Sequence, residues 1–235
     1  MNWYGANNGM EINKNALIAL ISSIILEEHP NSIIVTNSIT STGLGEFIDK
    51  LGGIHHRFKR GYRNVINEAV RLNNEGKESY LAIETSGHAA LKENYFLDDG
   101  AYLIAKILIK MAKLNAEGRS VESLIKDLKV PCGSLDFRLE IKNDNFKEYG
   151  ATIITDLQNY VKSTDGFSIV NNYEGIRVTC NKTNGDGWFL LRLSLHEIVL
   201  ALNIESDMKG GTQIIIDKLI PFLDKYNELD LSNIK

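Results

Sequence analysis

Short apolar runs alternate with longer segments of helical character through the first half of the chain, and this alternation constrains the fold most strongly. Strands are predicted at 32–36, 54–58 and 80–83. Helices are predicted at about 14–28, 42–50, 62–73 and 98–114. Strands and helices that alternate at these lengths predict an α/β domain with a mostly parallel sheet covered by helices.

The pattern changes after a short helix predicted at 121–128. The strands predicted there are 135–141, 167–170, 175–180, 187–195 and 199–204, and the helices are 146–161 and 211–226. The Asn-Gly-Asp-Gly stretch at 184–187 is typical of a hairpin turn. This order predicts an α+β domain with an antiparallel sheet and two helices on one face. We therefore expect domains at 1–118 and 131–235, joined by a linker at 119–130.

Three polar side chains, Glu84, Ser86 and His88, follow the strand at 80–83. In an extended chain, side chains at alternate positions point the same way. Open α/β sheets bind ligands at the carboxyl ends of their strands, and a carboxylate, a hydroxyl and an imidazole suit a polyol. The alternative is a polar loop whose side chains bond to nearby backbone groups.

One basic cluster, residues 55–63, includes Lys59 and Arg60 just before a predicted helix. The amino end of a helix favours anions, so this cluster predicts anion binding. The alternative is a solvated strand edge with its charged side chains extended into water.

A second candidate anion site contains Arg192, Ser194 and His196, which alternate along the end of an apolar strand. A bidentate cation together with hydroxyl or imidazole donors suits an oxyanion. The alternative is a structural ion pair between Arg192 and either Glu197 or Glu205.

The remaining candidates for catalysis and metal binding are weaker. Asp98 and Asp99 precede a helix, where carboxylates more often cap than bind magnesium. The sequence has no HxH, HExxH or CxxC spacing, so no metal site is predicted. A hydrolase built on Ser86 and His88 is disfavoured, because Glu84 and His88 occupy the glycine positions of a Gly-x-Ser-x-Gly elbow.

Two of these motifs resemble those of the α-D-phosphohexomutases (phosphoglucomutase/phosphomannomutase). The Glu-Thr-Ser-Gly-His at 84–88 and the following Asp99-Gly100 resemble the family's sugar-recognition loop, with Ile83 in place of its first glycine. The stretch 192–198 resembles the Arg-x-Ser-x-Thr-Glu-Pro phosphate-binding loop, with His196 for Thr and Ile198 for Pro. The resemblance extends from about residue 11 onward and corresponds to the family's third and fourth domains.

The resemblance implies a role for each candidate residue. Glu84 and Ser86 would bind adjacent sugar hydroxyls, and His88 would be a hydrogen-bond partner or proton relay. Lys59 and Arg60 belong to a cleft-lining segment. The phosphate would be bound by Arg192, Ser194 and His196.

The resemblance also implies the reaction, which interconverts hexose 1-phosphate and hexose 6-phosphate through a phosphoserine and a bisphosphate intermediate. The family's Thr-Ala-Ser-His-Asn-Pro and Asp-Gly-Asp-Gly-Asp-Arg motifs do not occur in this sequence. We therefore expect magnesium and the phosphoserine in a missing amino-terminal half, and no activity from this chain alone. The alternative is a non-catalytic module that binds sugar phosphates.

Charge and composition limit the partners and the compartment. A net charge of −4 and a pI near 5.8 argue against nucleic acid and anionic membranes. The start has no signal-peptide pattern and the apolar run 16–26 is too short to span a bilayer, so a cytoplasmic protein is expected. We also expect residues 1–9 to be poorly anchored, and apolar surface on the first domain to favour a homo-oligomer.

Overall fold

The structure, a computed structural model, describes residues 12, 14–170, 172–194 and 197–234. The chain divides into two units between Lys129 and Val130. The expectation for residues 1–9 and the role of His196 lie outside the described residues.

The first unit is built from alternating helices and strands. They are α1 Lys14–Glu28, β1 Ile33–Asn37, α2 Thr42–Lys50, β2 Ile54–Phe58, α3 Tyr62–Asn74, β3 Ser79–Ile83, β4 Ala89–Leu91 and α4 Gly100–Ala116. The strand order is β2-β1-β3-β4, in which the first three strands are parallel. The predicted mostly parallel sheet is therefore confirmed. The carboxyl ends of its three parallel strands lie at one edge.

Strand β4 was not predicted. Its three residues pair antiparallel with β3, with Ala89 opposite Ile83 and Leu91 opposite Leu81. An Ala-Ala-Leu run has no β-branched or aromatic residue that would identify it as a strand. The pairing with β3 therefore determines its conformation.

Helix α1 is the most deeply buried helix of this unit. Every residue from Leu17 to Leu26 is buried, as expected of a helix that is apolar on all sides. None of the helices in the described part of the chain is both long and apolar enough to cross a membrane. The expected linker segment also packs on this core, because Val121 is buried in it.

The second unit has an antiparallel sheet with two helices. Its elements are β5 Gly133–Glu140, α5 Phe146–Lys162, β6 Phe167–Ile169, β7 Ile176–Cys180, β8 Gly187–Leu193, β9 Val199–Ser206 and α6 Gly211–Leu223. The strand order is β5-β9-β8-β7-β6. Side chains such as Phe189 and Leu191 of β8 join residues of both helices in one core. The predicted α+β architecture is thus confirmed.

One predicted helix start is corrected by its capping contact. Helix α4 begins at Gly100 rather than Asp98, because the Asp99 carboxylate accepts hydrogen bonds of 3.0 Å from the amides of Ala101 and Tyr102. Asn15 lies inside helix α1. Its side-chain oxygen accepts from the amide of Ser41 at 3.2 Å.

A buried ion-pair network joins β2 to α3. The Glu68 side chain is 3% exposed, and both its oxygens accept from Arg71 at 2.8 Å. One oxygen also contacts His56 Nε2 at 2.8 Å. The hydrogen bonds from Arg71, with a further contribution from His56, lower the pKa of Glu68.

We predict that Glu68→Gln lowers the free energy of unfolding at pH 7 by about 1–3 kcal/mol, because a buried charged hydrogen-bond acceptor is lost. A carboxylate with a lowered folded-state pKa stabilises the fold above its unfolded pKa of about 4.3. This contribution is lost as the pH falls through the folded-state pKa. The difference between wild type and variant in urea unfolding should therefore shrink in acid.

Glu75→Gln is the matched control, since Glu75 also bonds to Arg71 but its side chain is 45% exposed. It should change the free energy of unfolding by less than about 0.5 kcal/mol. Equal effects of the two substitutions would contradict the assignment of Glu68 as the buried centre of the network.

Candidate functional site

The loops that follow β2 and β3 are joined at the carboxyl edge of the parallel sheet by one hydrogen bond. Glu84 Oε1 accepts from the backbone amide of Gly61 at 2.7 Å, and Glu84 is 6% exposed. A buried carboxylate needs such a partner. This contact brings Lys59 and Arg60, which immediately precede Gly61, to the same edge as Glu84.

Gly61 is required at this position by its backbone conformation. Its φ of 110° is strained for residues with a side chain. Gly61 is also the residue directly before α3, and it has no side chain of its own to cap the helix. The Glu84 carboxylate therefore takes the place of a capping group at the amino end of α3, where the helix dipole stabilises negative charge.

Residues 84–87 form a turn, which corrects the extended geometry expected for this loop. The amide of Gly87 donates to the carbonyl of Glu84 at 2.9 Å. Within the turn, Ser86 Oγ donates to Glu84 Oε2 at 3.3 Å, so the hydroxyl and the carboxylate are directly adjacent. Thr85 Oγ1 accepts from Asn37 Nδ2 at 3.0 Å, which attaches the turn to the end of β1.

His88 is oriented by two residues that the sequence did not identify as partners. Its Nδ1 lies 2.7 Å from Asp98 Oδ2, and its ring stacks on Tyr62 at a centroid distance of 4.9 Å. Asp98 also accepts from the amide of Ala89 at 3.2 Å. A carboxylate at Nδ1 favours a proton on that nitrogen, which leaves Nε2 as the acceptor of a neutral ring. The side chain is 50% exposed, so a ligand can reach it.

Lys59 and Arg60 differ in their surroundings. Lys59 is exposed, with its ammonium 5.9 Å from the ring centre of Phe58. Arg60 is half-buried, and its carbonyl accepts from Asn64 Nδ2 at 2.6 Å. The structure places both cations in the loop that Glu84 anchors, beside the amino end of α3.

The second candidate site lies in the other unit, on β8. Arg192 is 7% exposed and alternates with the core residues Leu191 and Leu193, so it lies on the sheet face away from the helices. Gly175 lies across from it with φ 54°. A Cβ on that glycine would be 2.7 Å from Arg192 Cβ. Glycine at 175 therefore makes room for the arginine stem.

The two glutamates named in the structural alternative for Arg192 each make a contact with another residue. The Glu197 carboxylate forms an ion pair with Arg138, and Glu205 accepts from Trp188 Nε1 at 3.1 Å. Ser194 lies directly after β8, and its Oγ accepts from the amide of Glu197 at 3.3 Å.

One functional candidate on this sheet face was missed. Arg177 of β7 is 4% exposed, and its guanidinium carbon lies 3.5 Å from the ring centre of Trp188. The sequence could have identified Arg177 by its position between the apolar residues Ile176 and Val178. Alternation along the strand then assigns Arg177 to the face that carries Arg192.

The carboxylates considered as magnesium ligands have other partners. Asp98 contacts His88, and Asp99 caps α4. Among the described residues, one group of three side chains has metal-ligand spacing, and it consists of Glu28, His29 and Glu93.

The chain is similar to known proteins over most of its length. Residues 13–130 match the family model for phosphoglucomutase/phosphomannomutase, alpha/beta/alpha domain III. A phosphomannomutase of Methanocaldococcus jannaschii is 27% identical over 202 residues. That alignment includes 85% of this chain and 40% of the relative, so this chain spans well under half of the relative's length.

Solved structures show the same fold. A phosphoglucomutase/phosphomannomutase family protein from Burkholderia thailandensis aligns with a TM-score of 0.71 at 23% identity, over 93% of this chain and 43% of the other. The N-acetylphosphoglucosamine mutase of Aspergillus fumigatus, solved with GlcNAc-6P and magnesium, aligns with a TM-score of 0.57 at 11% identity. It matches over 92% of this chain and 44% of the other.

We predict that Glu84→Ala increases the hydrogen-exchange rate of the Gly61 amide by about tenfold or more, since a hydrogen bond to a charged acceptor is worth about 1.5–3 kcal/mol. Amide exchange followed by NMR measures this directly. Ser86→Ala is the control and should leave Gly61 protected, because the serine contacts the other carboxylate oxygen. Unchanged protection in Glu84→Ala would disprove the anchoring role.

Proposed function

Because the chain belongs to the phosphoglucomutase/phosphomannomutase family, we propose that it provides the sugar-recognition and phosphate-binding parts of a phosphohexomutase. Such an enzyme interconverts hexose 1-phosphate and hexose 6-phosphate through a bisphosphate intermediate. The observation that carries the proposal is the group of Glu84, Ser86 and His88 at the carboxyl edge of the parallel sheet, anchored to the loop with Lys59 and Arg60.

In this proposal Glu84 and Ser86 bind adjacent hydroxyls of the sugar. Glu84 Oε1 is committed to Gly61, so Oε2 is the oxygen that accepts from the ligand. The 3.3 Å bond between Ser86 and Oε2 is long for a hydroxyl donor, and a sugar hydroxyl can replace it. Serine, which both donates and accepts, then pairs with the neighbouring hydroxyl.

His88 is proposed as a hydrogen-bond partner or proton relay. Asp98 holds Nδ1, and the Nε2 lone pair can accept a proton from a hydroxyl. Stacking on Tyr62 limits rotation of the ring. The neighbouring cations Lys59 and Arg60 would contribute positive potential for an anionic ligand.

Arg192 and Ser194 are proposed to bind the phosphate, together with His196. A guanidinium presents two parallel donors that match phosphate oxygens. Arg192 is largely buried, so a hydrogen bond between its guanidinium and a phosphate would be strengthened by partial desolvation. The fungal relative solved with GlcNAc-6P is consistent with a sugar phosphate as the ligand class.

The phosphoryl donor and the metal are proposed to come from outside this chain. Neither the phosphoserine motif nor the Asp-Gly-Asp-Gly-Asp-Arg motif occurs in the sequence, and Asp98 and Asp99 are engaged in structural contacts. The chain's own residues would bind and orient the sugar phosphate. The preference between glucose and mannose phosphate is not determined by these contacts, because both sugars can satisfy Glu84 and Ser86.

A cytoplasmic location and self-association are also proposed. Helix α4 has three exposed large apolar side chains, Ile104, Leu108 and Ile109. Exposed apolar residues that cluster on one helix favour association with another protein surface. A second copy of the chain is the partner proposed for this surface.

We predict that the purified chain alone does not convert glucose 1-phosphate to glucose 6-phosphate, because positioning groups cannot replace a phosphoryl donor. A coupled assay with and without added magnesium and glucose 1,6-bisphosphate measures the conversion. Turnover above a mock preparation that disappears in Glu84→Ala would contradict this prediction.

We predict that Arg192→Ala weakens binding of glucose 6-phosphate by about 1.5–3 kcal/mol, the range for hydrogen bonds to charged groups. Calorimetric titration measures the affinity. Arg192→Lys should recover part of it, because it keeps the charge and loses the bidentate geometry. Lys218→Ala removes the same charge from an exposed position on α6 and should leave affinity unchanged. Equal affinity of wild type and a folded Arg192→Ala protein would refute the phosphate role.

A further inference from the structure

Three potential metal ligands converge at the edge of the first unit opposite to the sugar-recognition loop. Glu28 ends α1, His29 follows it, and Glu93 lies in the turn after β4. One carboxylate oxygen of each glutamate and one ring nitrogen of His29 all lie within 4.8 Å of one another. His29 stacks on Tyr80, the second residue of β3, which places the group at the amino end of that strand.

His29 is presented as a ligand by the packing of its ring. The ring lies parallel to that of Tyr80, with centroids 3.7 Å apart and planes within 11°. In the described part of the chain, its ring nitrogens form no hydrogen bond or ion pair. Stacking already restricts the ring and leaves an uncommitted nitrogen facing two carboxylates. Metal binding would therefore cost less side-chain entropy.

A cation already lies between the two carboxylates. The ammonium of Lys106 on α4 is 2.7 Å from Glu28 Oε2 and 2.6 Å from Glu93 Oε1, and the lysine side chain is 13% exposed. The two glutamates and the lysine together have a net charge of −1. They line a pocket of about 220 Å³ whose wall also includes Lys110, which is paired with Glu27, and Lys113. The pocket gives space for the Lys106 ammonium to move aside.

We propose that Glu28, His29 and Glu93 bind a divalent transition metal ion of the Zn²⁺ type, and that Lys106 competes with this ion for the carboxylates. Zinc takes imidazole nitrogen and carboxylate oxygen at about 2.0–2.2 Å. Donor atoms around a tetrahedral ion at these distances are roughly 3.3 Å apart, so small side-chain rotations close the site. Magnesium strongly prefers oxygen ligands and retained waters, which makes the histidine a poor partner for it.

The metal would connect the end of α1 to the turn after β4. Three protein ligands leave the fourth tetrahedral position for water. Binding to the folded state alone stabilises that state by mass action. The proposed site is separate from Glu84 and Arg192 and does not depend on the proposed function.

The test is calorimetric titration of the metal-stripped full chain with Zn²⁺, together with thermal unfolding. We expect one zinc per chain and a higher unfolding temperature with zinc. His29→Gln and Glu93→Gln should each weaken binding at least tenfold and abolish the thermal shift. Lys106→Met keeps the apolar stem and removes the competing charge, so it should tighten binding at least tenfold.

His88→Gln is the matched control, because His88 also lies beside a carboxylate but in a two-residue group. It should leave zinc affinity unchanged. Cobalt substitution gives a second measurement, in which the visible spectrum of the wild-type complex should be lost in His29→Gln. Absence of zinc binding, binding that survives His29→Gln and Glu93→Gln, or an affinity that Lys106→Met leaves unchanged would each overturn the proposal.

Discussion

The hydrogen bond from the Gly61 amide to the Glu84 carboxylate determines how the loop after β3 is built. The carboxylate is buried, and a charge removed from water needs a partner that compensates its lost hydration. Here the partner is an amide at the amino end of α3, where the helix dipole adds a favourable interaction. The arrangement requires glycine at 61 because of its φ of 110°. It also fixes the loop after β3 relative to the loop that bears Lys59 and Arg60.

The architecture of both units could be predicted from the sequence because it depends on the periodicity of apolar residues and on the turn residues between helices and strands. Alternating apolar runs and helical segments give a parallel sheet, and closely spaced strands give an antiparallel one, in which residues 181–186 connect β7 to β8. Strand β4 was missed because its conformation comes from pairing with β3. The predicted start of helix α4 was two residues too early. Asp98 and Asp99 are both aspartates that could cap a helix, but only Asp99 does so.

The contacts of the candidate site were predictable only in part. The sequence and the family resemblance together identified Glu84, Ser86 and His88 as neighbours along the chain. The partners Gly61, Asp98 and Tyr62 come from other segments, and nothing local in the sequence pairs them with the loop. Tertiary contacts of this kind depend on how the loops cross the sheet edge, which residue spacing alone does not determine. The turn at 84–87 has the same origin, because Asn37 of β1 anchors it through Thr85.

The two oxygens of Glu84 have different partners, which has a consequence for sugar specificity under the proposed function. Oε1 is bound to a backbone amide, so a ligand can use Oε2 and the Ser86 hydroxyl without disturbing the fold. One carboxylate oxygen and one rotatable hydroxyl accept or donate in several directions. Strong discrimination between related sugars requires buried polar groups that the wrong sugar would leave unpaired. The loop has few such groups, because one oxygen of the buried Glu84 carboxylate already has a protein partner. Under the proposed function, the loop would therefore suit a sugar that is recognised through different hydroxyl pairs, and selectivity between hexoses would come from other contacts.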